Sequence, residues 1–151
     1  MSYPYESPRV TAEVAAAAVD DLKEIIAIPS LSTDGKYKKD CERMALWLHD
    51  FLKKIEFEVK VYETPMMPIV YAEKIVDPDL PTILIYGHYD VQPPDPLDLW
   101  ESDPFEPEIR DGKIYARGAC DDKGQFFMHL KAVELMLKNK LLCCNVKFMI
   151  E

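Results

Sequence analysis

The chain has 151 residues, 48% of them hydrophobic and 30% charged, a balance suited to one globular domain with a core of its own. Eighteen lysines and arginines against 27 aspartates and glutamates leave a net charge of −9, which repels phosphate backbones and argues against a nucleic-acid partner. No apolar run approaches the ~20 residues of a membrane span, and the opening MSYPYESPRV lacks a basic start followed by an apolar run, so a cytoplasmic protein without a membrane partner is expected.

Thr11 can cap a first helix that runs to about residue 27, where Pro29 and Ser30 break it. Val14, Ala18, Leu22, Ile25 and Ile26 keep helical spacing along it and are expected to face a core. A second helix covers about 40–54, with Met44, Leu48, Phe51, Leu52 and Ile55 on one face. The period then changes. Residues 57–63 alternate apolar and polar, as a strand with one wet face does, and 69–75 reads as its neighbour. The run Pro81-Thr82-Ile83-Leu84-Ile85-Tyr86, ended by Gly87, has the continuous apolar character of a central strand buried on both faces. Residues 88–110 are rich in proline and acid, an irregular stretch long enough to suggest a functional loop. Trp100 and Phe105 are expected to anchor it by packing. Asp111-Gly112 predicts a tight turn joining 107–110 to 113–117 as a hairpin. A third helix follows, with Asp122 as its cap, Gln125 at the capping-box position, and a stripe of Phe126, Leu130, Val133 and Leu137. The β-rich run 145–150 comes last. Alternating helices and strands predict an α/β fold with a mainly parallel or mixed sheet flanked by helices. Cys41, Cys120, Cys143 and Cys144 lack metal or disulfide spacing and read as reduced, mostly buried thiols.

Chemistry concentrates in two places. In Gly87-His88-Tyr89-Asp90-Val91, directly after the apolar strand, residues i and i+2 of extended chain share a face, so His88 and Asp90 point together while Tyr89 turns aside. A carboxylate beside an imidazole accepts one ring N–H and leaves the other nitrogen free for a metal. The carboxyl end of a strand in an open α/β sheet is also where ligands bind. The same triplet equally describes a histidine hydrogen-bonded at a strand end. The second place is Arg117-Gly118-Ala119-Cys120-Asp121-Asp122-Lys123-Gly124, between a strand and a helix. Capping accounts for Asp122; Asp121 is left as a free carboxylate that could bind, or bridge, cations near His88. His49 and His129 have no acidic or cysteine partner at ligand spacing and read as structural or surface residues.

The stretch YGHYDVQPPDPLDLWESDPFEPEIRDGKIYARGACDDKG resembles the signature region of the carnosinase-like dipeptidases, in the metallopeptidase family that includes carboxypeptidase G, aminoacylase-1 and succinyl-diaminopimelate desuccinylase. The joint occurrence of GHxDV, WxSxPF, RDGKIYARG and DDKG carries the resemblance, which extends from the first helix through the IPSLS segment 28–32 to Glu151. It implies a metal-dependent amide hydrolase of the zinc-exopeptidase fold, working on a dipeptide or small N-acyl amino acid with a pair of divalent ions, zinc or manganese. By motif match, His88 is a ligand of one ion, Asp121 bridges both, and Asp90 is the catalytic-site acid that orients His88. The resemblance also implies a cis peptide between Asp121 and Asp122.

In the family, the strand matching 146–150 leads into a glycine-containing turn and a pair of glutamates, a general base and a metal ligand. The chain reaches Glu151 before that pair, with Glu151 itself an unfavourably placed candidate for it, and the later aspartate and histidine ligands are missing. Residues 1–151 are therefore expected to be the N-terminal portion of a metallopeptidase catalytic domain, without its lid and dimerisation domain or C-terminal catalytic part. Such a portion is expected to be inactive alone and the intact protein a homodimer. One rival expectation is a non-catalytic truncated isoform or pseudo-enzyme that binds a partner. Another is a deacylase or desuccinylase.

Overall fold

A computed structural model describes residues 8–151. Its elements are α1 (Ala12–Ile26), α2 (Lys38–Lys54), β1 (Glu58–Tyr62), β2 (Ile69–Lys74), β3 (Thr82–Gly87), β4 (Glu108–Arg110), β5 (Lys113–Tyr115), α3 (Lys123–Lys138) and β6 (Asn145–Ile150). Thr11 caps α1 as its spacing predicts, its hydroxyl accepting from the Val14 N–H. The Asp111-Gly112 turn holds both residues at positive φ, 49° and 73°, and brings Arg110 opposite Lys113.

Four strands form one sheet in the order β1-β2-β6-β3. Only the β3–β6 pair is parallel; β1–β2 and β2–β6 are antiparallel, so the sheet is mixed rather than mainly parallel. Connection length decides this. A short link joins β1 to β2 and permits only a hairpin-like return, whereas the crossover from β3 to β6 contains α3 and is long enough for parallel strands. Val70 and Ala72 of β2 with Val146, Phe148 and Ile150 of β6 turn one face of the sheet inward. That face joins Met44, Leu48 and Leu52 of α2 and Phe126, Leu130 and Val133 of α3 in one core. Asn145 clasps the link between β2 and β3: its Oδ1 accepts from the main-chain N–H groups of Val76 and Asp77, and its Nδ2 donates to the carbonyls of Asp77 and Leu80.

Three expectations are corrected. β3 stands at the end of the strand order, paired by β6 on one side only, and Ile83, Leu84 and Tyr86 are 45, 59 and 55% exposed. Its apolar run suits burial on both faces, but the helices of the described residues cover one. In α1 only Ile25 and Ile26 are buried, and Val14 is exposed, because this helix packs on α3 rather than lying along the sheet. The four cysteines are free, but only Cys41 is buried; Cys120 and Cys143 are exposed.

Candidate active site

Three chain segments meet beyond the carboxyl end of β3. The parallel ladder continues past the strand: the Glu151 N–H donates to the Gly87 carbonyl, and the Tyr89 N–H donates to the Glu151 carbonyl at 2.7 Å. Extended backbone here sends alternate side chains to opposite sides. Tyr89 is fully buried, its hydroxyl donating to the Pro68 carbonyl at 2.7 Å. His88 and Asp90 share the other side, where His88 Nδ1 lies 2.7 Å from Asp90 Oδ1.

The residues between β5 and α3 bring Asp121 to the same place. His88 Nε2 is 3.1 Å from Asp121 Oδ1, so the two ring nitrogens face two carboxylates. The Asp121–Asp122 peptide is cis, as the resemblance implied, and Asp95–Pro96 is a further cis bond that sequence reading did not anticipate. Burial opposes a charged imidazole at His88, but the Asp90 hydrogen bond and the charges of Asp90, Asp122 and Asp121 outweigh it and raise its pKa.

The segment after α1 supports this arrangement from behind. Ser32 Oγ donates to Asp90 Oδ2 at 2.5 Å, so each oxygen of that carboxylate has its own partner. Ser30 Oγ donates to the Tyr89 carbonyl, and the Val91 N–H donates to the Ser30 carbonyl. Neither serine is flagged by spacing, because contacts between segments this far apart leave no local period. Asp122 precedes α3 as expected of a cap, yet its side chain makes no capping bond; Oδ2 accepts the His88 main-chain N–H at 3.1 Å. Glu151, weighed as one of the family's glutamates, has its Oε1 bonded by the Tyr86 hydroxyl at 2.7 Å. His49 bonds its neighbour Asp50, and His129 is exposed on α3; neither approaches His88. Among the described residues no group of three or more His, Cys, Asp or Glu converges at metal-binding distance.

Lys123 is the least expected member of the neighbourhood. It is fully buried, and Nζ donates to the carbonyls of Ile25 at 2.9 Å and Ile28 at 2.6 Å, tying the start of α3 to the end of α1. Burial brings its pKa down to about 7. An unfolded lysine keeps its proton to about pH 10.4, so above pH 7 the unfolded chain binds the extra proton and folding stability rises with pH. Cys41 acts oppositely from about pH 8.5, where an unfolded thiol ionises while burial raises the native pKa to about 11. The stability advantage of wild type over Lys123→Met is therefore expected to grow by about 2 kcal/mol between about pH 7 and 8.5. Urea unfolding of both proteins at the two pH values checks this, and a constant difference would refute it.

Comparison with known proteins finds similarity along most of the chain. Residues 84–151 match Peptidase family M20/M25/M40. The chain is 34% identical over 147 residues to the Beta-Ala-His dipeptidase of Homo sapiens, covering 88% of this chain and 29% of that protein. It is 34% identical over 119 residues to the succinyl-diaminopimelate desuccinylase of Bordetella avium, covering 79% of this chain and 29% of the relative. The crystal structure of human carnosine dipeptidase 1 superposes with a TM-score of 0.85 at 33% identity, over 90% of this chain and 31% of that one. The chain thus spans under a third of the length of these relatives. Residues 84–151 are similar to Peptidase family M20/M25/M40, and the described residues share the fold of human carnosine dipeptidase 1 over 90% of this chain.

Proposed function

We propose that this chain supplies the first half of the metal centre of a metal-dependent amide hydrolase, with a dipeptide or small N-acyl amino acid as substrate. The observation that carries the reading is the pair of contacts made by one imidazole, 2.7 Å to Asp90 and 3.1 Å to Asp121. Once Asp90 Oδ1 accepts the Nδ1 proton, the Nε2 lone pair of a neutral imidazole faces a carboxylate oxygen. Two lone pairs that close call for a proton or a cation, and the raised pKa of His88 is the protonic version of the same demand. One imidazole nitrogen and carboxylate oxygens are the donor set of zinc and manganese sites, so the residues fit the divalent metal that a metallopeptidase family implies.

His88 and Asp121 would hold the metal, Asp121 with its exposed carboxylate bridging to a second ion, while Asp90 fixes the His88 tautomer and raises its basicity. Bound there, a divalent ion contributes Lewis acidity toward water and the scissile carbonyl. Ser32 keeps Asp90 from turning away from the ring. A catalytic zinc takes three protein ligands beside its open position, more than these two residues supply, so the remaining ligands and the general base lie outside this group. On this reading the chain represents the N-terminal portion of a catalytic domain and has negligible activity alone. The intact protein is a homodimer in the cytoplasm, without nucleic-acid or membrane partners. The net charge of −9 and the four free cysteines support the cellular side of this reading.

The test supplies what the chain lacks. Residues 8–151 replace the overlapping region of human carnosine dipeptidase 1, and amine release is followed from β-alanyl, cysteinyl and N-succinyl substrates. Release that a chelator stops and His88→Ala abolishes is expected. A folded, metal-loaded chimera that cleaves none of the substrates would overturn the hydrolase reading. Turnover of a dipeptide by the 151-residue chain and zinc alone would overturn the half-centre reading.

A further inference from the structure

We propose that Asp122 is a positioning residue, a latch that sets the distance between His88 and Asp121 by holding the His88 main-chain N–H. This rests on the metal reading above and concerns how that site is kept in register. Three observations carry it. First, Asp122 occupies the position before α3 where an acid ordinarily caps the helix, yet its side chain makes no capping bond; the Gly124 and Gln125 N–H groups a cap would serve donate to the carbonyls of Gly118 and Asp122 instead. Second, the freed carboxylate accepts the N–H of His88 at 3.1 Å. That N–H is turned away from β6, whose ladder is completed by the flanking Gly87 carbonyl and Tyr89 N–H, and the latch gives it a partner. Third, the approach is close enough to require glycine beside it. A Cβ on Gly87 would lie 2.8 Å from Asp122 Oδ2 and 2.7 Å from Phe126 Cβ, below any ordinary contact.

The consequence is geometric. His88 ends the β-side of the site and Asp121 ends the α-side, and the one direct contact of their side chains, 3.1 Å between Nε2 and Oδ1, is the one a metal would replace. The latch fixes the separation of the two backbones, because Asp122 is the covalent neighbour of Asp121 and is bonded to the backbone of His88. Its role depends on an accepting oxygen and not on its charge.

Zinc titration and the amide NMR spectrum of the 151-residue chain separate these possibilities. Asp122→Ala is expected to move the His88 amide resonance and to weaken zinc binding roughly tenfold, the scale seen when groups behind a ligand are lost. Asp122→Asn keeps an accepting oxygen, so it should hold the amide resonance near its wild-type position and keep zinc affinity within about threefold. Equal zinc losses in both variants would assign the effect to charge and overturn the latch, as would an amide resonance unmoved in Asp122→Ala. Should Asp122→Ala fail to fold, Gly87→Ala replaces it: the added methyl pushes α3 away with Asp122 intact, and zinc affinity as strong as wild type would overturn the proposal. If the wild-type chain, with two of the ligands, takes up no zinc, the amide resonance decides the latch by itself, and turnover by the carnosine dipeptidase chimera that a chelator does not stop would overturn the metal reading instead.

Discussion

His88→Ala is expected to lower the zinc affinity of the chain by roughly a hundredfold or more in a calorimetric titration, whereas His129→Ala is expected to leave it unchanged. The size follows from what is removed. Losing a group that merely orients a ligand costs about 10–100-fold, so losing the ligand atom itself belongs at or beyond the upper end of that range. His88 is the one histidine whose ring is held between two carboxylates, 2.7 Å from Asp90 and 3.1 Å from Asp121. His129 is exposed on α3 and serves as a matched control for lost imidazole. His88→Ala keeps the main-chain N–H that Asp122 accepts, so the fold around the site is retained while its nitrogen ligand is not. Equal losses in the two variants would reject the ligand assignment.

Gly124→Ala provides the largest expected change in stability, and its direction is opposite to helix propensity. Alanine is better than glycine inside a helix by about 1 kcal/mol, so propensity alone predicts a more stable protein. The packing predicts otherwise. A Cβ at Gly124, in the first turn of α3, would sit 2.0 Å from the Ala119 carbonyl oxygen and 3.1 Å from its carbon. Those are backbone atoms of the segment that carries Asp121, and they cannot rotate aside as a side chain can. Overpacking of this kind costs about 3 kcal/mol or more, which leaves a net loss of at least about 2 kcal/mol after propensity is credited. Melting should fall by roughly 5–10 °C, read by circular dichroism. Gly35→Ala, where nothing lies within 4 Å of the added methyl, should stay close to wild type. A Gly124→Ala protein that melts higher than wild type would mean that the Asp121 segment does not lie against α3.

Much of this was legible before any coordinates. The i, i+2 rule alone puts His88 beside Asp90 and turns Tyr89 to the other side, and the structure has all three so disposed, with Tyr89 in the core. The Asp111-Gly112 hairpin and the apolar faces of α2 and α3 follow equally from local periods. Spacing left Asp121 only as a free carboxylate that could lie near His88, and the resemblance of the two motifs turned that into an expected shared site. What escaped was long-range and polar. Ser32 reaches Asp90 from another segment, Lys123 hides its amine against the end of α1, and Asp122 gives up its capping bond for a strand. Local patterns assign each of these residues its commonest role: a loop serine, a surface lysine, a cap. The burial of β3 was misread for a related reason, since an apolar run records how buried a strand can be and not which neighbours it has.

The doubly tied segment after β3 has a thermodynamic consequence. Tyr89 and Val91 donate their amides to Glu151 and Ser30, and Ser30 returns a bond to the Tyr89 carbonyl. The imidazole and the acid behind it are therefore immobilised when the domain folds, and little conformational freedom is left to lose when an ion arrives. On the metal reading proposed above, capture of the ion would then discriminate by size and coordination preference, as a rigid jaw does, more than by induced rearrangement.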